Sequence, residues 1–157
     1  MAIGDMSALN GLRVLDLTDY RAHLCGRLLA DMGADVIKIE PPGGDAARRI
    51  GPFVDDVPHP DRSLFFWFYN LNKRSITVDL TQSQGTEILL ELAKSADVII
   101  ESFMPGQIGE LGLGWETLHK FNPALILLSI TPFGQNGPYR DFDADDTVLT
   151  ALSGMLY

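Results

Sequence analysis

The sequence predicts an α/β fold, specifically a Rossmann-like, doubly wound and mainly parallel sheet. Aliphatic segments of strand length recur along the chain, and segments with helical spacing separate them. The aliphatic segments are nearly continuous, as in strands that are buried on both faces. Because crossovers between parallel strands are right-handed, such a repeat folds into a doubly wound sheet. The 157 residues fit one domain, residues 1–157.

The first predicted strand covers residues 12–17, and a helix over residues 22–32 follows it. Gly33 is suited to end that helix, because glycine readily adopts the left-handed conformation found after a helix C-terminus. The second strand is predicted at residues 35–40. The apolar side chains of the helix share one face: Leu24, Leu28, Leu29 and Met32.

A long proline-rich loop begins at Pro41 and carries Pro52, Pro58 and Pro60. A connection of this length without its own structure is unusual, so we expect it to be functional or to pack against something outside the domain. An aromatic run at residues 64–69 follows the loop. Core or subunit packing explains this run better than a pocket for a bulky substrate.

The second half of the chain continues the same alternation. A third strand is predicted at residues 75–80, and residues 81–84 have the spacing of a capping box for the next helix. A fourth strand covers residues 97–101, short helices occupy roughly residues 106–121, and an apolar fifth strand covers residues 124–130. The helix after the third strand has apolar residues at helical spacing: Ile88, Leu89, Leu92, Ala93 and Ala96.

The composition indicates a globular protein that does not bind nucleic acid. Hydrophobic residues make up 46% of the chain and charged residues 21%, which suffices for a packed core. With a net charge of −9, the chain lacks the basic surface that phosphate backbones require. No run approaches the roughly 18 apolar residues that span a bilayer, and residues 1–10 do not resemble a signal peptide. We therefore expect a cytoplasmic protein that does not bind membranes.

The single cysteine and the histidines do not indicate redox or metal chemistry. Cys25 has no partner for an internal disulfide, and its apolar helical segment suits a small buried side chain. His23, His59 and His119 lack the spacing of metal ligands and are predicted to be structural or solvated. The sequence therefore predicts no metal site.

Ligand binding is expected beyond the carboxyl ends of the strands, as in other open α/β sheets. The loop after the first strand lacks a G-x-G-x-x-G run, which disfavours a nicotinamide or flavin dinucleotide. The glycine-containing loop at residues 132–139 would let a ligand approach the backbone closely. After it, Asp145 or Asp146 begins a terminal helix. Taken alone, capping explains such a carboxylate better than catalysis does.

Five separated blocks resemble, in the same order, the N-terminal portion of family III CoA-transferases, the CaiB/BaiF family. The resemblance implies a Rossmann-like large domain that holds CoA at the strand ends and has no prosthetic group. It implies acyl-CoA and a carboxylic acid as substrates, with CoA transferred through an aspartyl anhydride and an aspartyl thioester. The blocks are residues 11–18, 28–40, 72–75, 96–103 and 129–135.

The resemblance assigns the nucleophile to Asp146, which precedes a short apolar segment ending in Ala-Leu-Ser-Gly at residues 151–154. Asp145 is the weaker candidate. Racemases of the family use a histidine-aspartate pair as the base, and Asp145 stands at the histidine position. A transferase is therefore favoured over an α-methylacyl-CoA racemase-like enzyme. The positions implied to bind CoA are Tyr20, Arg21, Ala22, Lys73, Val78, Ser102 and Phe103.

Some positions that hold basic groups near the CoA phosphates in family members are neutral or acidic in this chain. An ion pair with phosphate is stronger than a neutral hydrogen bond, so this loss weakens CoA binding unless other basic residues substitute. The altered positions are Pro41, Thr81, Glu110 and Thr131. The basic residues that could substitute are Arg21, Arg48, Arg49 and Lys73.

Family members are much longer, and the chain lacks their small domain and their returning C-terminal segment. The apolar faces that those parts cover would be exposed, so we expect an obligate oligomer. The oligomer would be a homodimer, or a heteromer with a second chain that supplies the missing half. We expect activity only together with that complementary chain or segment. Two other interpretations stay open: a non-catalytic CoA-binding or scaffolding subunit, and an inactive fragment.

Overall fold

The computed structural model describes residues 7–156, which form one five-stranded sheet with helices on both sides. All strand pairs are parallel, and the strand order is β3-β2-β1-β4-β5. Units wound in both directions from a central β1 produce this order, so the predicted Rossmann-like, doubly wound sheet is confirmed. The strands are β1 (Arg13–Leu17), β2 (Asp35–Glu40), β3 (Arg74–Thr77), β4 (Val98–Glu101) and β5 (Ile126–Ser129).

The helices of the described residues are short, and the longest has 11 residues. None of the helices between residues 7 and 156 has the length and apolar character that a membrane crossing requires. The helices are α1 (His23–Asp31), α2 (Leu64–Asn70), α3 (Ser83–Ala93), α4 (Gln107–Glu110), α5 (Trp115–Phe121) and α6 (Asp146–Leu152).

The proline-rich loop is more ordered than the sequence predicts, because it contains two 3₁₀ turns, Ala46–Arg49 and Val54–Asp56. The Asp45 side chain begins the first turn by accepting a hydrogen bond from a backbone amide of that turn. The aromatic run forms α2, and Ser63 caps this helix by accepting a hydrogen bond from the Phe66 amide at 3.0 Å. Phe66 packs in the core as expected, whereas Trp67 and Phe68 are 46% and 54% exposed.

One predicted helix boundary is confirmed and one is wrong. Gly33 follows α1 with a φ of 97°, and its N–H donates to the Ala30 carbonyl at 2.9 Å. The capping box predicted at residues 81–84 does not form, because the Thr81 hydroxyl donates instead to Asp79 Oδ1 at 2.6 Å. Helix α3 accordingly has no side-chain hydrogen bond at its N-cap.

The two faces of the sheet differ in polarity. One face packs against α3, α4 and α5 and is apolar, with Leu15, Ile37 and Ile99 at its centre. The other face lies under α1 and has an apolar cluster near the amino ends of the strands, including Val14 and Val36. Because side chains alternate along a strand, the next residues on this face are those two positions further on. They are charged and buried: Asp16 on β1, and Lys38 and Glu40 on β2.

Apolar surface is exposed on α1 and on β5. The buried side of α1 consists of His23, Gly26 and Ala30, so its predicted apolar face points largely away from the sheet, with Leu28 52% exposed. The fifth strand was expected to be covered on both faces, but it lies at the sheet edge, and Ile126 is 60% exposed. The predicted exposure of apolar faces is therefore confirmed, while the oligomer stays a prediction.

We expect Gly26→Ala to destabilise the fold. A Cβ at this position would clash with Asp16 Oδ2 and lie 3.1 Å from Lys73 Nζ, a pair that is buried against α1. Overpacking a rigid site typically costs about 1–3 kcal/mol, and displacing a buried ion pair adds to this. Urea unfolding should therefore show a loss of at least about 2 kcal/mol.

Gly109→Ala is the matched control for this substitution. Gly109 lies in α4, and a Cβ there would have no neighbour within 4 Å. The free energy of unfolding should stay the same or rise by up to about 1 kcal/mol, because alanine restricts the unfolded chain. Equal stability of the two variants would contradict the packing argument at Gly26.

Candidate functional site

A cavity of about 420 Å³ opens at the carboxyl edge of the sheet. Leu17 and Ile39 belong to its apolar lining, and most of the remaining wall comes from the loops that follow β1, β2, β3 and β4, with a contribution from α4. The strand order reverses direction between β1 and β4, which is where open α/β sheets bind their ligands. The cavity therefore lies where the sheet topology predicts a site.

Several residues predicted to bind CoA line this cavity: Arg21, Val78, Ser102 and Phe103. Ser102 Oγ accepts a hydrogen bond from the Asp19 amide at 2.8 Å, which connects the loops after β1 and β4. The other predicted residues lie elsewhere. Tyr20 lines a second cavity, whereas Ala22 is buried and is not among the lining residues of either cavity.

Lys73, which was also predicted to contact CoA, does not line either cavity. Its side chain is 1% exposed, and its ammonium lies 2.7 Å from Asp16 Oδ2. The ammonium also donates to the His23 carbonyl at 2.9 Å and to Asn70 Oδ1 at 2.8 Å. An ammonium has three donors, and these three contacts use all of them. Lys73 therefore joins β1, α1 and the end of α2, and has no proton left for a phosphate.

A second group of buried charges lies directly beneath the cavity. Lys38 Nζ lies 3.0 Å from Asp45 Oδ2 and donates to the Thr18 carbonyl at 2.5 Å. His23 Nε2 lies 3.1 Å from the same Asp45 oxygen, so this histidine is structural, as predicted. Burial opposes ionisation of Asp45, but its hydrogen bond with His23 and the charge of Lys38 hold its pKa well below the usual value. Lys38 was not a predicted site residue; its place in an otherwise aliphatic stretch of β2 is the signal that could have identified it.

Arg48 is not free to bind a phosphate. Its guanidinium donates to the two carboxylate oxygens of Glu40 at 2.6 and 2.7 Å, and Ser75 Oγ donates to the same carboxylate. Burial alone would raise the pKa of Glu40, but these hydrogen bonds outweigh it and lower the pKa to about 2. Arg49 is exposed and donates to the Gly43 carbonyl at 3.1 Å, close to the cavity but not in its wall.

Arg21 is the only basic side chain that lines the cavity in the described part of the chain. Its Nη2 lies 2.7 Å from Asp19 Oδ2, and this hydrogen-bonded pairing raises its pKa. The cavity also contains Pro41 and Thr81, two of the positions where family members hold basic groups. An uncharged or apolar part of a ligand therefore fits this cavity better than a phosphate does.

A second cavity of about 710 Å³ also includes Arg21 in its wall, together with both candidate aspartates. Asp145 Oδ1 accepts a hydrogen bond from the Val148 amide at 2.9 Å and so caps α6. Asp146 is the first residue of α6, and its carboxylate accepts no hydrogen bond from the residues that the structure describes. The cap is thus assigned to Asp145, and Asp146 lines the cavity with no side-chain hydrogen bond among residues 7–156. Thr131 Oγ1, in the same wall, is buried and unpaired within residues 7–156.

Residues 7–156 contain no cluster of three or more histidine, cysteine, aspartate or glutamate side chains that could hold a metal ion. Cys25 is half-buried and packs against the apolar cluster under α1. Burial raises the pKa of its thiol, which keeps the sulfur protonated and unreactive at neutral pH.

Comparison with known proteins identifies the relatives of this chain. The model of one family, CoA-transferase family III, matches residues 9–157. The chain is 46% identical over 149 residues to the formyl-CoA:oxalate CoA-transferase of Afipia carboxidovorans, covering 94% of this chain and 34% of that protein. It is 39% identical over 145 residues to the succinyl-CoA:(R)-benzylsuccinate CoA-transferase subunit BbsE of Thauera aromatica, covering 92% of this chain and 35% of that protein.

A solved structure of a protein from the same family also matches this chain. The crystal structure of a CaiB/BaiF family protein from Brucella suis matches with a TM-score of 0.87 and 38% identity, over 96% of this chain and 40% of that chain. The chain therefore spans about a third of the length of the curated relatives it matches. The resemblance inferred from the five sequence blocks is confirmed at the level of the family.

We expect Glu40 to make stability depend on pH. Its pKa falls from 4.5 to about 2 on folding, so protonation at low pH favours the unfolded chain. The stabilisation is complete above about pH 4.5 and disappears as the pH falls towards 2. A pKa shift of this size corresponds to about 3 kcal/mol of folding free energy. Glu40→Gln should lower the free energy of unfolding by a similar amount at pH 7, and the difference from wild type should shrink on acidification.

Urea titrations between pH 7 and pH 2 measure this difference. Glu116→Gln is the control, because Glu116 is exposed on α5 and contributes no such interaction. A stability difference for Glu40→Gln that stays constant with pH would contradict the assigned role of the carboxylate.

Proposed function

The chain belongs to CoA-transferase family III, and we propose that it forms the CoA-thioester-binding part of an enzyme that transfers CoA between carboxylic acids. The observation that carries this proposal is the cavity at the carboxyl ends of four parallel strands, lined by Arg21, Val78, Ser102 and Phe103. The chain spans about a third of its curated relatives, so the activity is proposed for the intact protein, with any further segment or subunit that it contains.

The chemistry of the cavity suits part of a CoA thioester. Leu17, Ile39, Val78 and Phe103 offer an apolar surface on which a flat base or the pantetheine arm can lie. Arg21 lines both cavities, so an extended ligand that enters the first can continue past this residue into the second. The thioester end would then lie near the start of α6.

The proposed transfer has balanced steps and needs no prosthetic group. A carboxylate attacks the thioester carbonyl, forming a C–O bond and breaking the C–S bond, which gives a mixed anhydride and CoA thiolate. The thiolate attacks the enzyme's carbonyl of the anhydride, releasing the donor acid and leaving an enzyme thioester. The acceptor acid then attacks that thioester, and the returning thiolate takes the acceptor's acyl group and regenerates the enzyme carboxylate.

Asp146 stays the predicted nucleophile. It lines the second cavity, and Asp145 takes the capping role that would otherwise compete for its carboxylate. The alternative is a carboxylate in the part of the relatives that this chain does not span. The acyl group is not assigned, because the relatives are named for different acids, among them oxalate and benzylsuccinate.

The exposed apolar surfaces of α1 and β5 support the proposal that the intact protein is an oligomer, either a homodimer or a heteromer. One relative is itself named as a subunit. None of the helices in residues 7–156 could span a membrane. We propose a cytoplasmic location from the composition of the chain.

We expect Arg21→Gln to raise KM for acyl-CoA about tenfold, since a charge-assisted hydrogen bond contributes roughly 1.5–3 kcal/mol. Steady-state kinetics of the intact protein, with a panel of acyl-CoA donors and carboxylate acceptors, measures this change. Arg140→Gln is the control, because Arg140 also pairs with an aspartate but lies outside both cavities. Equal KM values for wild type and Arg21→Gln would remove Arg21 from the binding site, and an absence of CoA transfer with every donor would overturn the function.

We expect Asp146→Asn to lower kcat on the order of a thousandfold, because the amide cannot act as the nucleophile. Hydroxylamine added during turnover should convert the acylated carboxylate to a hydroxamate, which mass spectrometry locates. Asp141→Asn is the control, because within residues 7–156 the Asp141 carboxylate pairs with the neighbouring Arg140 and lies outside both cavities. Full turnover of Asp146→Asn, with the hydroxamate at another carboxylate, would reject Asp146 as the nucleophile. The proposed CoA-transferase activity would still stand. Transfer with no modification of this chain would instead favour a scaffolding subunit.

A further inference from the structure

Lys38 is a buried cation that no step of the proposed reaction uses. The residue is 1% exposed and stands fourth in β2, a strand whose other central residues are aliphatic. Its ammonium donates to the Thr18 carbonyl at 2.5 Å and lies 3.0 Å from Asp45 Oδ2. Lys38 is not among the residues that line the cavity, although both of its partners are.

The two partners of Lys38 belong to different walls of the 420 Å³ cavity. Thr18 begins the loop after β1, and Asp45 lies in the loop after β2. Lys38 therefore connects these two loops from below. Both loops contribute other lining residues, including Arg21 from the first and Pro41 from the second.

Each partner is itself held at a fixed position. The Thr18 amide and hydroxyl both donate to Asp16 Oδ1, at 2.9 and 2.6 Å. The Asp45 amide donates to Glu40 Oε2 at 2.9 Å, and Asp45 Oδ1 accepts from the Ala47 amide at 2.8 Å. The ammonium thus joins the two loops at residues that have their own local hydrogen bonds.

Stability alone does not explain a charged pair at this position. Removing an ammonium and a carboxylate from water costs several kcal/mol each, and apolar replacements of similar volume are often neutral or stabilising. Unlike an apolar contact, an ion pair with directed hydrogen bonds fixes the distance between the groups that it joins.

We propose that Lys38 is a positioning residue for the CoA-thioester cavity, which rests on the proposed function. Its ammonium fixes the spacing of the loops after β1 and β2 before the ligand arrives. A binding site that is ordered in advance loses less free energy on binding, so the loss of this connection should weaken ligand binding and leave the chemical step largely intact.

The test uses the double variant Lys38→Met/Asp45→Asn in the intact protein. Methionine matches the length of lysine, and the asparagine oxygen can still accept from the Ala47 amide. The double variant avoids the unpaired buried carboxylate that would destabilise Lys38→Met alone. We expect KM for acyl-CoA to rise about tenfold, equivalent to about 1.4 kcal/mol, with kcat within about threefold of wild type.

A second readout does not depend on CoA. Hydrogen exchange of the ligand-free protein should become faster in residues 18–22 and 41–47 of the double variant, and stay unchanged in α3 and α5. If wild type shows no reaction with acyl-CoA, the proposed function fails, and exchange in these two loops still decides whether Lys38 orders them.

Asn122→Ala is the matched control. The Asn122 side chain also connects separate segments, donating to the Ala93 carbonyl at 3.1 Å and to the Ala96 carbonyl at 2.8 Å, but it lies outside both cavities. This variant should melt at a lower temperature with KM unchanged. The proposal is overturned if the double variant keeps the wild-type KM and loop exchange, or if Asn122→Ala raises KM to the same extent.

Discussion

The structure depends on a set of charges that are buried between α1 and the carboxyl half of the sheet. The ion pair between Asp16 and Lys73 is the most enclosed, with a separation of 2.7 Å and side chains that are 0% and 1% exposed. Removing one partner of such a pair typically costs about 3–5 kcal/mol, because the other charge stays buried without compensation. The close approach of α1 at Gly26, which leaves no room for a Cβ, shows how tightly the helix packs on this pair.

This arrangement divides one face of the sheet into two parts with different roles. Near the amino ends of the strands, Val14, Val36 and Ile100 pack against α1 and contribute hydrophobic stability. Towards the carboxyl ends, Lys38 and Asp45 use directed contacts to hold the loops that form the cavity. Both halves therefore contribute to stability, and the charged half also holds the loops that form the cavity.

The same contacts explain why the cavity has few groups for a phosphate. The basic residues that could replace the missing phosphate contacts are mostly engaged: Lys73 with Asp16, Arg48 with Glu40, and Arg21 with Asp19. Arg49 alone among the four candidates is exposed and bonded only to a backbone carbonyl in the described structure. The cavity wall therefore offers a ligand mainly apolar surface and one arginine, Arg21, while α1 and β5 have exposed apolar surfaces.

The sequence by itself determined the fold class, the order of the strands, the family and the edge of the sheet where the cavity lies. It could do so because strand and helix periodicity and the glycine after α1 are local signals. It did not predict α2 as a helix. The tertiary structure alone decided that Thr81 turns towards Asp79, that the apolar face of α1 is largely exposed, and that Lys73 supports the fold rather than lining the cavity. Each of these outcomes depends on which distant groups meet. A lysine looks the same in a sequence whether its ammonium reaches solvent, a phosphate or a buried aspartate.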